Sequence, residues 1–83
     1  MSETFYYVYI LTSVSEPEKH YTGFTANLEK RLLIHNAGSC SHTKKFAPWQ
    51  IESAFAFRTL EKAMAFERYL KSHSGRAFAA KHL

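Results

Sequence analysis

The chain has 83 residues, 46% of them hydrophobic and 16% aromatic, and eleven Lys and Arg against seven Asp and Glu give a formal charge of +4. A chain of this length buries only about 60% of its unfolded surface and cannot divide that between two cores, which implies one domain over residues 1–83, while the aromatic content argues against disorder. No apolar run approaches the roughly 18 residues of a membrane span, and the opening MSETFYYVYIL lacks the basic leader of a signal peptide.

Residues 5–11, FYYVYIL, are continuously apolar rather than alternating, the pattern of a strand covered on both faces and so a central one. After a polar loop, TSVSEPEK, residues 20–25 (HYTGFT) return as a second short strand, with Gly23 marking a close approach or a bulge. TANLEKRLLIHNAGS then predicts a helix with Thr25 or Asn27 as its cap, Leu28, Leu32 and His35 along one stripe, and Gly38 as its stop. SCSHTKKFAPW is a basic, aperiodic connector closed by Pro48, which disfavours helix at Ala47. Its lone Cys40 cannot form an internal disulfide, and no Cys/His set has zinc-like spacing, which fits a reducing, cytoplasmic setting.

QIESAFAF predicts a third strand with Ile51, Ser53, Phe55 and Phe57 on one face, and the small Ala54 and Ala56 beside Glu52 on the other, where they would admit a helix. TLEKAMAFERYLKS, residues 59–72, is the clearest helix, with Ala63, Phe66 and Leu70 at helical spacing behind a weak Thr59 cap. A last helix starts at Ser74 and sets Phe78 on the core. The fold expected is α/β in an α+β arrangement, a small central three-stranded sheet carrying helices, with strand order left open.

Several polar groups admit both a structural and a chemical reading. Arg31 is permanently charged and planar, suited to holding phosphate oxygens and opposing charge that develops during cleavage; a surface arginine is the plain alternative. His35, four residues on and on the same helix face, can position or deprotonate water, or simply complete an amphipathic stripe. Tyr9 and Tyr21 either pack as aromatics or bind water and phosphate, although a phenol of pKa about 10 is a poor base near neutrality. Glu67 is either a solvated residue paired with Lys71 or a hard oxygen ligand whose Mg²⁺ shell the substrate completes. On the surface, His42, Thr43, Lys44 and Lys45 of the connector, extended by Lys71, Arg76 and Lys81, form a candidate nucleic-acid surface, with Trp49 either a stacking platform or a core edge.

In order along the chain, YVY at 7–9, YTG at 21–23, Arg31 in NLEKRLLIHNAG, the HTKK...PW connector and Glu67 in EKAMAFERYLK together resemble the GIY-YIG nuclease superfamily, specifically its small single-domain bacterial group. The resemblance spans nearly the whole chain. It implies a central three-stranded antiparallel sheet flanked by helices, and a divalent-metal-dependent phosphodiester hydrolase using Mg²⁺, with Mn²⁺ as the alternative. By position, Tyr9 and Tyr21 match the signature tyrosines, Arg31 the phosphate-facing arginine, His35 an auxiliary active-site residue of some relatives, and Glu67 the metal ligand.

Three positions depart from the pattern: Tyr7 stands for the first signature glycine, Val8 for its isoleucine and Thr22 for the second isoleucine. The expectation is an endonuclease acting on DNA, with RNA left open and a protein partner supplying recognition. A nucleic-acid-binding module without cleavage is the alternative, and a protein-interaction domain a more distant one.

Overall fold

A computed structural model of the chain describes residues 4–83; residues 1–3, the start of the leader reading, lie outside the described residues. The elements are β1 (Tyr6–Ser13), β2 (His20–Thr25), α1 (Leu28–Asn36), a 3-10 turn (Lys44–Phe46), β3 (Trp49–Phe57), α2 (Leu60–Lys71) and α3 (His73–His82). The strands form one antiparallel sheet in the order β2-β1-β3. None of the described helices is long and apolar enough to cross a membrane.

The continuous apolar run of β1 has the meaning its sequence implied, since Val8, Tyr9, Ile10 and Leu11 are all buried. Successive side chains point to opposite faces of a strand, so this run needs a cover on each side. Val8 and Ile10 pack with Ala63 and Leu70 of α2, joined by Phe57, Phe66 and Ala79. On the opposite face Tyr9 and Leu11 pack with Trp49, joined by Tyr21, Leu28, Leu32 and Phe46.

The third strand departs from its expected alternation. Ile10 pairs with Ser53 but Leu11 pairs with Ile51, which leaves Glu52 as the extra residue of a β-bulge. The bulge turns Ile51 away from Phe55 and Phe57 to the α1 side, beside Leu11, Leu28 and Leu32. Glu52 moves to the other face, accepting from Thr12 Oγ1 at 2.9 Å and pairing with His20 Nε2 at 3.3 Å. Phe55 and Phe57 keep their expected face, 4.9 and 5.4 Å from the Phe66 ring between centroids. Ala54 and Ala56 stay exposed, with no helix laid over them.

The helix boundaries follow from their caps. Asn27 is the cap of α1, its side chain accepting from Lys30 N at 3.0 Å, and Gly38 just beyond the helix adopts φ +76°, a left-handed conformation that favours glycine. Thr59 does cap α2, accepting from Lys62 N at 3.2 Å. Ser72, two residues before the expected start, caps α3 by accepting from Gly75 N at 3.1 Å. Phe78 is not a core residue: it is 37% exposed and lies against Tyr69 and His82, while Ala79 faces the core instead.

Candidate active site

Three rings meet on the α1 face of the sheet. Tyr9 of β1 pairs across the sheet with Gly23, and Tyr21 lies two residues along β2 opposite Leu11, so both tyrosines share a face. His35 comes from the inner stripe of α1, with its ring 4.9 Å from Tyr21 and 6.0 Å from Tyr9 between centroids. Gly23 makes the arrangement fit, because a Cβ there would stand 2.6 Å from the Tyr9 hydroxyl oxygen and 3.0 Å from the Tyr21 ring. The close approach expected at Gly23 is therefore that of the tyrosine rings themselves.

A hydrogen-bonded chain runs through this cluster. The Tyr9 hydroxyl lies 3.0 Å from His35 Nε2, and His35 Nδ1 lies 2.7 Å from Thr43 Oγ1. Tyr9, His35 and Thr43 are all essentially inaccessible to solvent. Thr43 is held in turn by its neighbours: its carbonyl accepts from Trp49 Nε1 at 2.8 Å, and its hydroxyl donates to the Cys40 carbonyl at 3.4 Å. Asn36 clamps the start of β3 by accepting from Trp49 N–H and donating to Trp49 O at 3.0 Å. Paired this fully, buried polar groups hold one geometry.

Arg31, one helical turn before His35, lies close enough to Tyr9 for each to shift the ionisation of the other. The electrostatics follow from burial and from this cation. Desolvation raises the Tyr9 pKa, against the opposing pull of Arg31, so the phenol stays protonated. Desolvation and then the Arg31 charge lower the His35 pKa and keep the imidazole neutral. The contact with Tyr9 raises the Arg31 pKa further, and hydrogen bonding to Thr43 lowers that of Cys40.

Tyr9, Tyr21, Arg31 and His35 are thus brought together. Glu67 joins them only at one remove: its carboxylate, largely buried, pairs with Lys71 Nζ at 3.1 Å, and that ammonium stands 5.9 Å from the Tyr21 ring centroid. The i,i+4 pair expected as the plain reading of Glu67 is present, with the glutamate side chain only partly exposed. Among the described residues no group of three or more His, Cys, Asp and Glu converges on a common point. A metal here would have Glu67 as its protein ligand and complete its shell from water and phosphate, which suits Mg²⁺, an ion that keeps several waters and takes one or two carboxylates.

The connector residues divide. His42, Lys44 and Lys45 are exposed, with Lys45 Nζ 5.7 Å from the Phe46 ring centroid. Thr43, expected with them as a surface contact, points inward to His35. Trp49 is 4% exposed and cannot stack on a base. Lys71 and Arg76 line a groove of about 580 Å³ with Ile10, His20, Thr22 and Glu52, on the face of the sheet opposite Tyr9.

Thr43 is the residue the sequence concealed. It lies eight positions past His35 in an aperiodic segment, and no spacing rule connects it to a helix face.

A model of the GIY-YIG catalytic domain matches residues 5–81. The chain belongs to the GIY-YIG family. It is similar to a UPF0213 protein of Haloquadratum walsbyi, 34% identical over 84% of this chain and 78% of the relative. A UPF0213 protein of Bacillus licheniformis is 35% identical over 89% of this chain and 75% of its own length. The structure-specific endonuclease subunit SLX1 of Debaryomyces hansenii is 39% identical over 81% of this chain, which spans about a fifth (21%) of that relative's length. Among solved structures, the solution structure of the UPF0213 protein from Bacillus halodurans superposes with a TM-score of 0.54 at 28% identity, over 93% of this chain and 83% of that one. The antiparallel sheet with its helices is thus the GIY-YIG fold expected from the ordered motifs.

Proposed function

We propose that this GIY-YIG domain is a divalent-metal-dependent endonuclease that hydrolyses DNA phosphodiester bonds in the cytoplasm, acting on branched or flap structures with recognition assisted by a protein partner. The observation that carries this reading is the Tyr9 hydroxyl, buried against Gly23, with His35 Nε2 3.0 Å from it and the Arg31 cation close by. A packing role alone would not require an imidazole on one phenol and a permanent cation beside it. The substrate geometry and the partner rest on the relative named as a structure-specific endonuclease subunit.

In the proposed reaction the oxygen of a water molecule forms a bond to phosphorus as the bond to the leaving oxygen breaks. Arg31 opposes the negative charge gathering on the nonbridging oxygens, the largest contribution a fixed cation makes. The Tyr21 hydroxyl, which has no hydrogen-bond partner among the described residues, is free to hold the water. Tyr9 is too weak an acid to begin as phenolate, so it passes the water's proton on: its oxygen gains that proton as its own moves to His35 Nε2. Glu67 would hold Mg²⁺ or Mn²⁺, which when bound supplies charge stabilisation at the phosphoryl and leaving oxygens.

The test is cleavage of end-labelled linear, flap and branched DNA by wild type and Glu67→Gln, each checked for folding, with and without Mg²⁺ or Mn²⁺. Metal-dependent products from wild type alone support the reading. Equal metal-dependent cleavage by both proteins removes Glu67 from its role. A second reading, a nucleic-acid-binding module without cleavage, is favoured by the Glu67–Lys71 pair, which engages the carboxylate a metal would need. It predicts salt-sensitive binding and no products on any substrate.

A further inference from the structure

His35 is drawn into a chain of donors and acceptors whose direction can be worked out from its ends. At one end stands Tyr9, with the Arg31 guanidinium nearby, a group that donates and never accepts. Arg31 therefore offers no acceptor to the phenol hydrogen. Among the described residues the acceptor within reach of that hydrogen is His35 Nε2, 3.0 Å off. Nε2 must then be bare, and in a neutral imidazole a bare Nε2 means that the proton sits on Nδ1.

At the other end, Nδ1 meets Thr43 Oγ1 at 2.7 Å. The hydroxyl can accept there because its own hydrogen has somewhere else to go: it donates to the Cys40 carbonyl at 3.4 Å. In this direction every hydrogen of the chain has an acceptor. Reversed, Thr43 would donate to Nδ1, His35 would donate from Nε2, and the Tyr9 hydrogen would be left in a buried site without a partner, an arrangement folded proteins avoid.

We propose that Thr43 is a positioning residue that accepts the Nδ1 proton of His35 and so fixes the neutral imidazole in the tautomer whose Nε2 is free to take a proton from Tyr9. The inference rests on the nuclease reading for its purpose but not for its geometry. Without the Thr43 oxygen the ring has no buried partner for an Nδ1 proton. The other tautomer, which cannot accept from Tyr9, then gains population. The logic is that of any base whose second nitrogen must be oriented before the first can work.

The experiment is long-range ¹⁵N–¹H NMR of the histidine rings in wild type, Thr43→Val and Thr43→Ser, with the His35 signals assigned by their loss in His35→Gln. The expected result is wild-type His35 protonated at Nδ1 and bare at Nε2, a gain of the Nε2-protonated form in Thr43→Val, and the wild-type pattern restored in Thr43→Ser. DNA cleavage should fall by about tenfold or more in Thr43→Val and recover in Thr43→Ser, in the range seen when the orienting partner of a reactive group is removed. Wild-type His35 protonated at Nε2 overturns the proposal, as does a Thr43→Val protein with an unchanged tautomer. The wild-type measurement decides this even where Thr43→Val fails to fold. A correct tautomer with no cleavage by any protein upholds the role of Thr43 and sinks the nuclease reading alone.

Discussion

The two faces of the sheet are built from the same strand and do different work. Toward α2 and α3, Val8 and Ile10 meet Ala63 and Leu70 in a cluster with no polar side chain among its buried members. Toward α1, the intervening Tyr9 meets His35 and Thr43, which are just as buried but joined by hydrogen bonds. The first face gains stability from apolar area removed from water. The second spends burial on polar groups that must each find a partner, which costs free energy unless every bond is made. The difference teaches that one β-strand can hold the fold with its even positions and present chemistry with its odd ones.

The sharpest way to separate the faces is to truncate each. Arg31→Ala should lower DNA cleavage by about 10²–10³-fold, the usual loss when a donor to developing charge is removed, with the melting curve nearly unchanged. Leu70→Ala on the other face should cost about 2–5 kcal/mol in denaturant unfolding. Its effect on cleavage at a temperature where it remains folded should be small.

A subtler break is Gly23→Ala, whose methyl would collide with the Tyr9 hydroxyl at 2.6 Å. It should cost about 1–3 kcal/mol, as overpacking does, and detach Tyr9 from His35, so that activity falls further than stability alone explains.

The pH dependence of stability sharpens the comparison without any substrate. His35 is faced by Arg31 from its own helix, Tyr9 and Tyr21 from the sheet, and Thr43 from the connector. Its pKa is lowered in the folded chain, by burial first and Arg31 second, so below the ordinary histidine value of about 6.5 the unfolded chain binds the proton more readily. Stability should therefore fall as pH drops from about 6.5 and level off once folded His35 itself protonates; thermal melts of wild type and His35→Gln across that range should differ in this slope. The smallest effect is expected at the surface: Lys44→Ala or Lys45→Ala should weaken DNA binding and reduce the salt slope by about one unit where the lysine meets a phosphate, leaving the cleavage step intact.

Much of this was legible in the sequence, for reasons that also mark its limits. Periodicity exposes what repeats: the doubly covered run of β1, the Leu28–Leu32–His35 stripe and the Ala63–Phe66–Leu70 face of α2 all stand where spacing put them. The ordered motifs carried the family, and the tyrosine rings and His35 lie together on the α1 face with Arg31 beside Tyr9. What stayed hidden depends on events without a period. One bulged residue, Glu52, exchanged the faces of Ile51 and Glu52, because a single insertion inverts all alternation beyond it. Thr43 sits in an irregular connector, where tertiary contact decides direction and residue type does not. Phe78 lost the core to Ala79, one position on, because so short a helix with few apolar residues leaves its inward face undetermined by spacing.

The central claim is that the Tyr9 network on the α1 face is where a phosphodiester is hydrolysed. Tyr9→Phe tests it most directly, because it deletes one oxygen and leaves the packed ring in place. Metal-dependent cleavage of the best DNA substrate, compared at matched folding, should fall by about 10²–10⁴-fold, the range for a lost proton-transfer group. Cleavage by Tyr9→Phe at the wild-type rate would contradict the account.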